Sequence, residues 1–168
     1  MNEFLILYIL RLGNFNIYEI KKYIDVSFSP FIEVSVGAII PALNRLEITE
    51  CVTKQKLISD GGLRRTVYSM TEKGEAEFNT YLEKDIDGAP QLLRRETEVL
   101  LSLIDNPNLS EEQNKLLKQK IESALSSQIK RIKSAISSGK FNLEFLNMEL
   151  IYTEAKQRLL KDDDKSIS

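Results

Sequence analysis

The chain has no histidine, no tryptophan and a single cysteine, Cys51, in 168 residues. Each absence removes a class of chemistry. Without histidine the commonest general base and nucleophile activator is gone. A lone cysteine makes neither an intramolecular disulfide nor a soft metal site. The signatures G-x-x-x-x-G-K-[ST], G-x-G-x-x-G and G-x-S-x-G are missing as well. Carboxylate pairs such as Glu111 and Glu112 fall in a helix first turn, where they complement the macrodipole. The expectation is a non-enzyme with no catalytic residue, no metal and no cofactor. Long apolar runs are also lacking. The longest, Phe4 to Leu10, is too short to span a bilayer and has no basic leader or cleavage site. It reads as a buried helix, and the expected compartment is the cytoplasm. Charge of one sign is scarce too: the net charge is −2, so any contact with nucleic acid has to come from a local patch.

What is present is ordinary for a soluble globular protein, 42% apolar and 29% charged, with length for one good core or two small ones. Asn2 to Leu12 is nearly all apolar and stops at Gly13 and Asn14, which predicts a first helix buried on several sides. Asn16 with Glu19 has the form of a capping box for a second helix whose stripe is Ile17, Ile20 and Ile24. Lys21 and Lys22 face away from that stripe. Phe28, Phe31 and Ile32 belong to a connection around Ser29 and Pro30. Ser35 then opens a third helix to about Ile48, with Val36, Ile39, Ile40, Leu43 and Leu46 at helical spacing. Pro41 lies beyond its first turn, where proline costs a helix about 3 kcal/mol. That broken rule marks the segment as a candidate site.

Val52 to Ile58 and Arg64 to Met70 read as two strands around a turn at Asp60, Gly61 and Gly62. The hairpin carries Lys54, Lys56, Arg64 and Arg65 against Asp60, a local charge of +3 in an acidic chain. Thr71 caps a fourth helix through Phe78, Tyr81 and Leu82. Asp87, Gly88, Ala89 and Pro90 mark a boundary, dividing residues 1–86 from a helical remainder, residues 87–168. That remainder reads as helices over Gln91–Ile104, from Ser110 to about Ser138, and over Phe141–Leu160. The second of these carries Leu117, Ile121, Leu125, Ile129, Ile132 and Ile136 in near-heptad steps, and Gly139 ends it. The third offers Phe145, Met148, Tyr152, Ala155 and Leu159 on one face. Stripes of this kind bury little alone, so the long helix wants either its neighbour at Phe141 to Leu160 or a second chain. Any single stripe residue can be core of one subunit, and for the helical half a homodimer is expected through Leu117, Ile121, Leu125, Ile129, Ile132, Phe145 and Tyr152.

The predicted fold is therefore mainly α: three helices and a two-stranded basic wing in the order of a winged helix-turn-helix, then a helical dimerisation domain. In such a fold the third helix docks by its apolar face and offers the other to the major groove. That other face holds Ser35, Gly37, Ala38, Pro41, Asn44 and Arg45. Small residues permit close approach, and the first-turn N–H groups with Ser35 suit a phosphate. Asn44 suits adenine, and Arg45 suits guanine or a phosphate. The wing cations have two readings, as phosphate contacts or as protection of an exposed hairpin edge.

The run Ser35-Val36-Gly37-Ala38-Ile39-Ile40-Pro41-Ala42-Leu43-Asn44-Arg45-Leu46-Glu47 resembles the recognition helix of the PadR family of transcriptional regulators, about S-x-G-x-[IL]-Y-P-x-L-x-R-L-E. Gly62 to Gly74 resembles that family's G-x-x-R-[KR]-x-Y-x-[LM]-T-x-x-G, and Ile17-Tyr18-Glu19-Ile20 is similar to its G-Y-E-[IL]. The resemblance implies a sequence-specific, dimeric DNA-binding repressor that contacts operator DNA through the third helix and wing and responds to a small-molecule effector or a stress signal. Two departures from the pattern matter. Ile40 replaces a tyrosine that would meet the DNA backbone, and Cys51 replaces a glycine suited to a left-handed helix end. Cys51 reads as a semi-buried structural residue or, alternatively, a redox-sensitive thiol. The rival function is a winged-helix module for protein interaction, since residues 1–75 carry as many acidic as basic side chains.

Overall fold

The computed structural model describes residues 1–58, 64–86, 89–139 and 142–162. The predicted turn at Asp60, Gly61 and Gly62, the boundary residues Asp87 and Gly88, and Phe141 lie outside them. The chain divides into two compact units, residues 1–84 with 106–110, and residues 85–105 with 111–168.

In the first unit α1 (Asn2–Leu10), α2 (Ile17–Ser27) and α3 (Val36–Ile48) precede β1 (Val52–Ile58), β2 (Arg64–Met70) and α4 (Glu72–Glu83). Seven consecutive residues of α1, Phe4 to Leu10, are buried, so the helix is a core rod with no solvent face along that length. Phe4 stacks on Phe78 at 5.0 Å and on Tyr81 at 4.2 Å, fastening α4 to it. The Asn16 capping box is present: Asn16 Oδ1 accepts from the Tyr18 and Glu19 amides, and the Glu19 carboxylate accepts from the Asn16 amide. Ile20 and Ile24 of α2 are fully buried, as their spacing predicts. Phe15 exchanges two backbone hydrogen bonds with Tyr68, tying the α1–α2 connection to the wing.

The end of α3 departs from the sequence reading. The left-handed residue is Glu50, with φ of 61°, one position before Cys51. The Glu50 amide donates to the Glu47 carbonyl and the Cys51 amide to the Leu46 carbonyl, the two bonds of a Schellman motif. Cys51 is therefore the residue after the turn, buried beside Leu46 as that motif prefers. This corner also fixes α4. Thr71 Oγ1 donates to the Glu50 carbonyl and accepts from the Gly74 amide, while the Thr71 amide donates to the Cys51 carbonyl. A Cβ on Gly74 would stand 2.1 Å from the Cys51 carbonyl oxygen, which explains a glycine in the first turn of a helix.

The second unit consists of α5 (Pro90–Leu101), α6 (Glu111–Ser138) and α7 (Leu143–Asp162). Pro90 opens α5 at a position that needs no amide donor. At 28 residues α6 is about 42 Å long. Gly139, with φ of 64°, follows its end as predicted. Helix α7 packs along α6, with Thr153 and Leu160 buried. Lys156 ties α7 to α5 through Glu98 at 2.8 Å and lies over the Tyr152 ring at 4.0 Å. Among the described residues no helix is long and apolar enough to cross a membrane.

Candidate nucleic-acid interface

The site is built on α3. Ile39, Ala42, Leu43 and Leu46 are buried and make its docking face against α1 and α2. Opposite them Ser35, Gly37, Ile40, Pro41, Asn44 and Arg45 are exposed, and Ala38 is half-buried at the flank. Ser35 is the N-cap residue, but its hydroxyl makes no cap bond; of the first-turn amides, that of Ala38 donates to the Ser35 carbonyl at 2.9 Å. Pro41 sits within one continuous helix. Lacking an amide hydrogen, it leaves the carbonyl four residues earlier, that of Gly37, without its helical donor. Gly37 and Pro41 are both exposed.

Gly37 has a second property. A Cβ built there would meet only Ser35 Oγ, at 3.6 Å, an ordinary contact. Among the described residues nothing excludes alanine at this position.

Arg45 does not stand with the others. It lies about 100° round the helix from Asn44, toward α1, and hydrogen-bonds Glu3 there. On the wing side Lys54 meets Glu47 of α3 at 2.8 Å, and that hydrogen bond raises the pKa of the Lys54 ammonium. The strand register pairs Lys54 with Tyr68, Lys56 with Thr66, Ile58 with Arg64 and Leu57 with Arg65. Directly opposed residues share a face and successive ones alternate. Lys54, Lys56 and Arg64 therefore lie on one face of the wing, the one that meets α3 through Lys54, and Arg65 lies on the other. Lys56, Arg64 and Arg65 are exposed and form no ion pair among the described residues.

Sequence reasoning passed over Tyr18 and Ile48. Tyr18, in the first turn of α2, is 78% exposed, and Ile48 continues the outer face of α3 at 80%. Both sit in helices whose periodicity was plain, but only burial tells an exposed aromatic or aliphatic side chain from a core one.

In the second unit Leu117, Ile121 and Leu125 are fully buried within a single chain and serve its own core. Ile129 and Ile132 are half-buried, while Phe145 and Tyr152 are each 53% exposed. Among the described residues no cluster of potential metal ligands occurs.

Among solved structures the chain is similar to Bacillus subtilis PadR in complex with operator DNA, at 16% identity over 95% of this chain and 94% of that one, TM-score 0.48. It is also similar to a PadR-like transcriptional regulator from Bacillus cereus, at 19% identity over 99% and 97%, TM-score 0.44. The Vibrio cholerae virulence activator AphA matches at 16% identity over the full length of both chains, TM-score 0.44. A search of curated protein sequences returned no match. Residues 6–80 match the profile of the Transcriptional regulator PadR-like family. That segment holds α2, α3, both wing strands and most of α1 and α4, and with it the winged helix-turn-helix of this protein belongs to the PadR-like family of transcriptional regulators.

Proposed function

We propose that this PadR-like regulator binds operator DNA in a sequence-specific way, as a homodimeric repressor, with residues 1–86 on the DNA and residues 87–168 forming the dimer. The observation that carries the DNA reading is Gly37. Glycine inside a helix costs up to about 1 kcal/mol relative to alanine. The chain itself leaves room for a Cβ there. A glycine that internal packing does not require, on an exposed face beside Pro41 and Ser35, suits the approach of an outside backbone, and the major groove is the partner that a third helix of this fold presents itself to. Lys56 and Arg64 would meet phosphates from the wing face adjoining α3, and Ser35 with the α3 amides would meet another.

Dimerisation rests on α7. Phe145, Met148, Tyr152, Ala155 and Leu159 recur in steps of three and four, and all five are exposed in the single chain. Such a seam calls for a second helix. From the family resemblance we add a small-molecule effector or stress signal acting through residues 87–168, with cytoplasmic location.

The test is retardation of the DNA upstream of the protein's own coding sequence, titrated with salt. Binding that weakens as salt rises is expected. Absence of any shift at low salt, for every native upstream fragment, would leave the exposed α3 face as a protein-docking surface instead.

A further inference from the structure

The outer face of α3 carries two ridges. Gly37 and Pro41 make one, and Ile40, Asn44 and Ile48, each four residues apart, make the other. The second ridge has a definite chemistry. Ile40 is 41% exposed and Ile48 more so, and the Asn44 amide between them is exposed with no partner among the described residues. No charge stands on that ridge. Arg45 is turned toward Glu3, and Glu47, at the flank, is engaged by Lys54.

In the major groove arginine and lysine select guanine, asparagine pairs with adenine through N6 and N7, and apolar side chains select the thymine methyl group. We infer that the Ile40–Asn44 ridge reads A·T base pairs: Asn44 donates to adenine N7 and accepts from the N6 amino group, and Ile40 packs on the 5-methyl group of a thymine at a neighbouring pair. Ile40 is then a specificity-determining residue. Its aliphatic side chain, exposed to water in the free protein, gains a methyl partner on binding. This assignment rests on the DNA-binding reading above.

Selection from a random duplex library with the full-length protein, followed by titration of the selected site, tests it. The half-sites are expected to hold A·T pairs at their most constrained positions. Replacing those thymines by deoxyuridine, which removes only the methyl, should weaken binding about fourfold per contacted methyl. Ile40→Ala, a surface change whose folding is checked by its melting curve, should bind the thymine and uracil sites within about twofold of each other. Selected half-sites dominated by G·C pairs, or equal affinity of the unsubstituted protein for thymine and uracil, would overturn the inference and leave DNA binding standing. Failure to enrich any sequence, together with no DNA retention at low salt, would overturn both.

Discussion

At the scale of single residues, two glycines and one glutamate have opposite signatures. Gly37→Ala should stabilise the fold by about 0.5–1 kcal/mol, since the added Cβ meets only Ser35 Oγ. The same methyl, placed between helix and DNA, should weaken operator binding by about 5- to 100-fold. Urea unfolding and a mobility-shift titration read the two effects; a more stable variant with unchanged DNA affinity would remove Gly37 as support for the interface. Gly74→Ala is the reverse case. Its Cβ would collide with the Cys51 carbonyl at 2.1 Å and with Met70 Cγ at 2.7 Å, so about 1–3 kcal/mol of stability should be lost. Glu50→Gly should gain about 0.5–1 kcal/mol by relieving a left-handed residue. The Glu50–Lys73 ion pair it forfeits is exposed and worth little.

Tyr8 adds a pH signature. Burial first, then the neighbouring Tyr23, raises the pKa of its phenol, against hydrogen bonds with Asn108 and Asn106 that lower it. The folded protein thus holds this proton more tightly than the unfolded chain does. Its contribution is complete below the ordinary phenol value of about 10 and is lost as pH rises through the folded value. Stability measured above pH ~10 should accordingly fall less steeply in Tyr8→Phe than in the parent.

At the scale of elements, the wing shows what register adds to sequence. Arg64 and Arg65 are adjacent and look equivalent along the chain, yet pairing with Ile58 and Leu57 puts them on opposite faces. If the face shared with Lys54 is the one that follows α3 onto DNA, Arg64→Ala should flatten the plot of log affinity against log salt by about 0.9, the share of one phosphate. Arg65→Ala should leave the slope unchanged. Equal slopes for the two variants would mean that the wing does not hold this face to the backbone. The strands themselves were legible, because β-branched residues bounded by glycines announce a hairpin. The facing of each arginine was not, since it depends on which residue lies across the ladder.

The same holds for α3. Its helical period and its N-cap residue can be read from the sequence, and the structure returns the helix as Val36–Ile48. The stripe is returned in part: Ile39, Leu43 and Leu46 are buried and Ala42 joins them, whereas Val36 is half-buried and Ile40 is exposed. Arg45 is different. On sequence it belongs to the reading face, but its partner Glu3 lies 42 positions earlier, and the contact exists only because α1 and α3 pack together.

At the scale of the whole molecule, the expected dimer contacts separate into two groups by burial. Leu125 is fully buried in one chain, so Leu125→Ala should cost about 2–5 kcal/mol of folding stability in the manner of core truncations. Met148 and Tyr152 are exposed on the α7 seam. Met148→Glu combined with Tyr152→Glu should yield a monomer by analytical ultracentrifugation with helical content kept. A dimer that survives this pair of charges would place the interface elsewhere.

What the sequence by itself determined was local and periodic: the order of helices and strands, the capping box at Asn16, the basic hairpin, and the likeness of residues 17–74 to a PadR winged helix, because each of these is written within one or two turns of chain. The tertiary structure decided what depends on residues far apart. It set Gly74 against the Cys51 carbonyl, moved the left-handed turn to Glu50, drew Arg45 to Glu3 and left Gly37 where an added Cβ would make only an ordinary contact with Ser35 Oγ. The physical reason is that hydrogen-bonding and spacing preferences act along the chain, whereas steric exclusion and ion pairing act through space and appear only once the helices are packed.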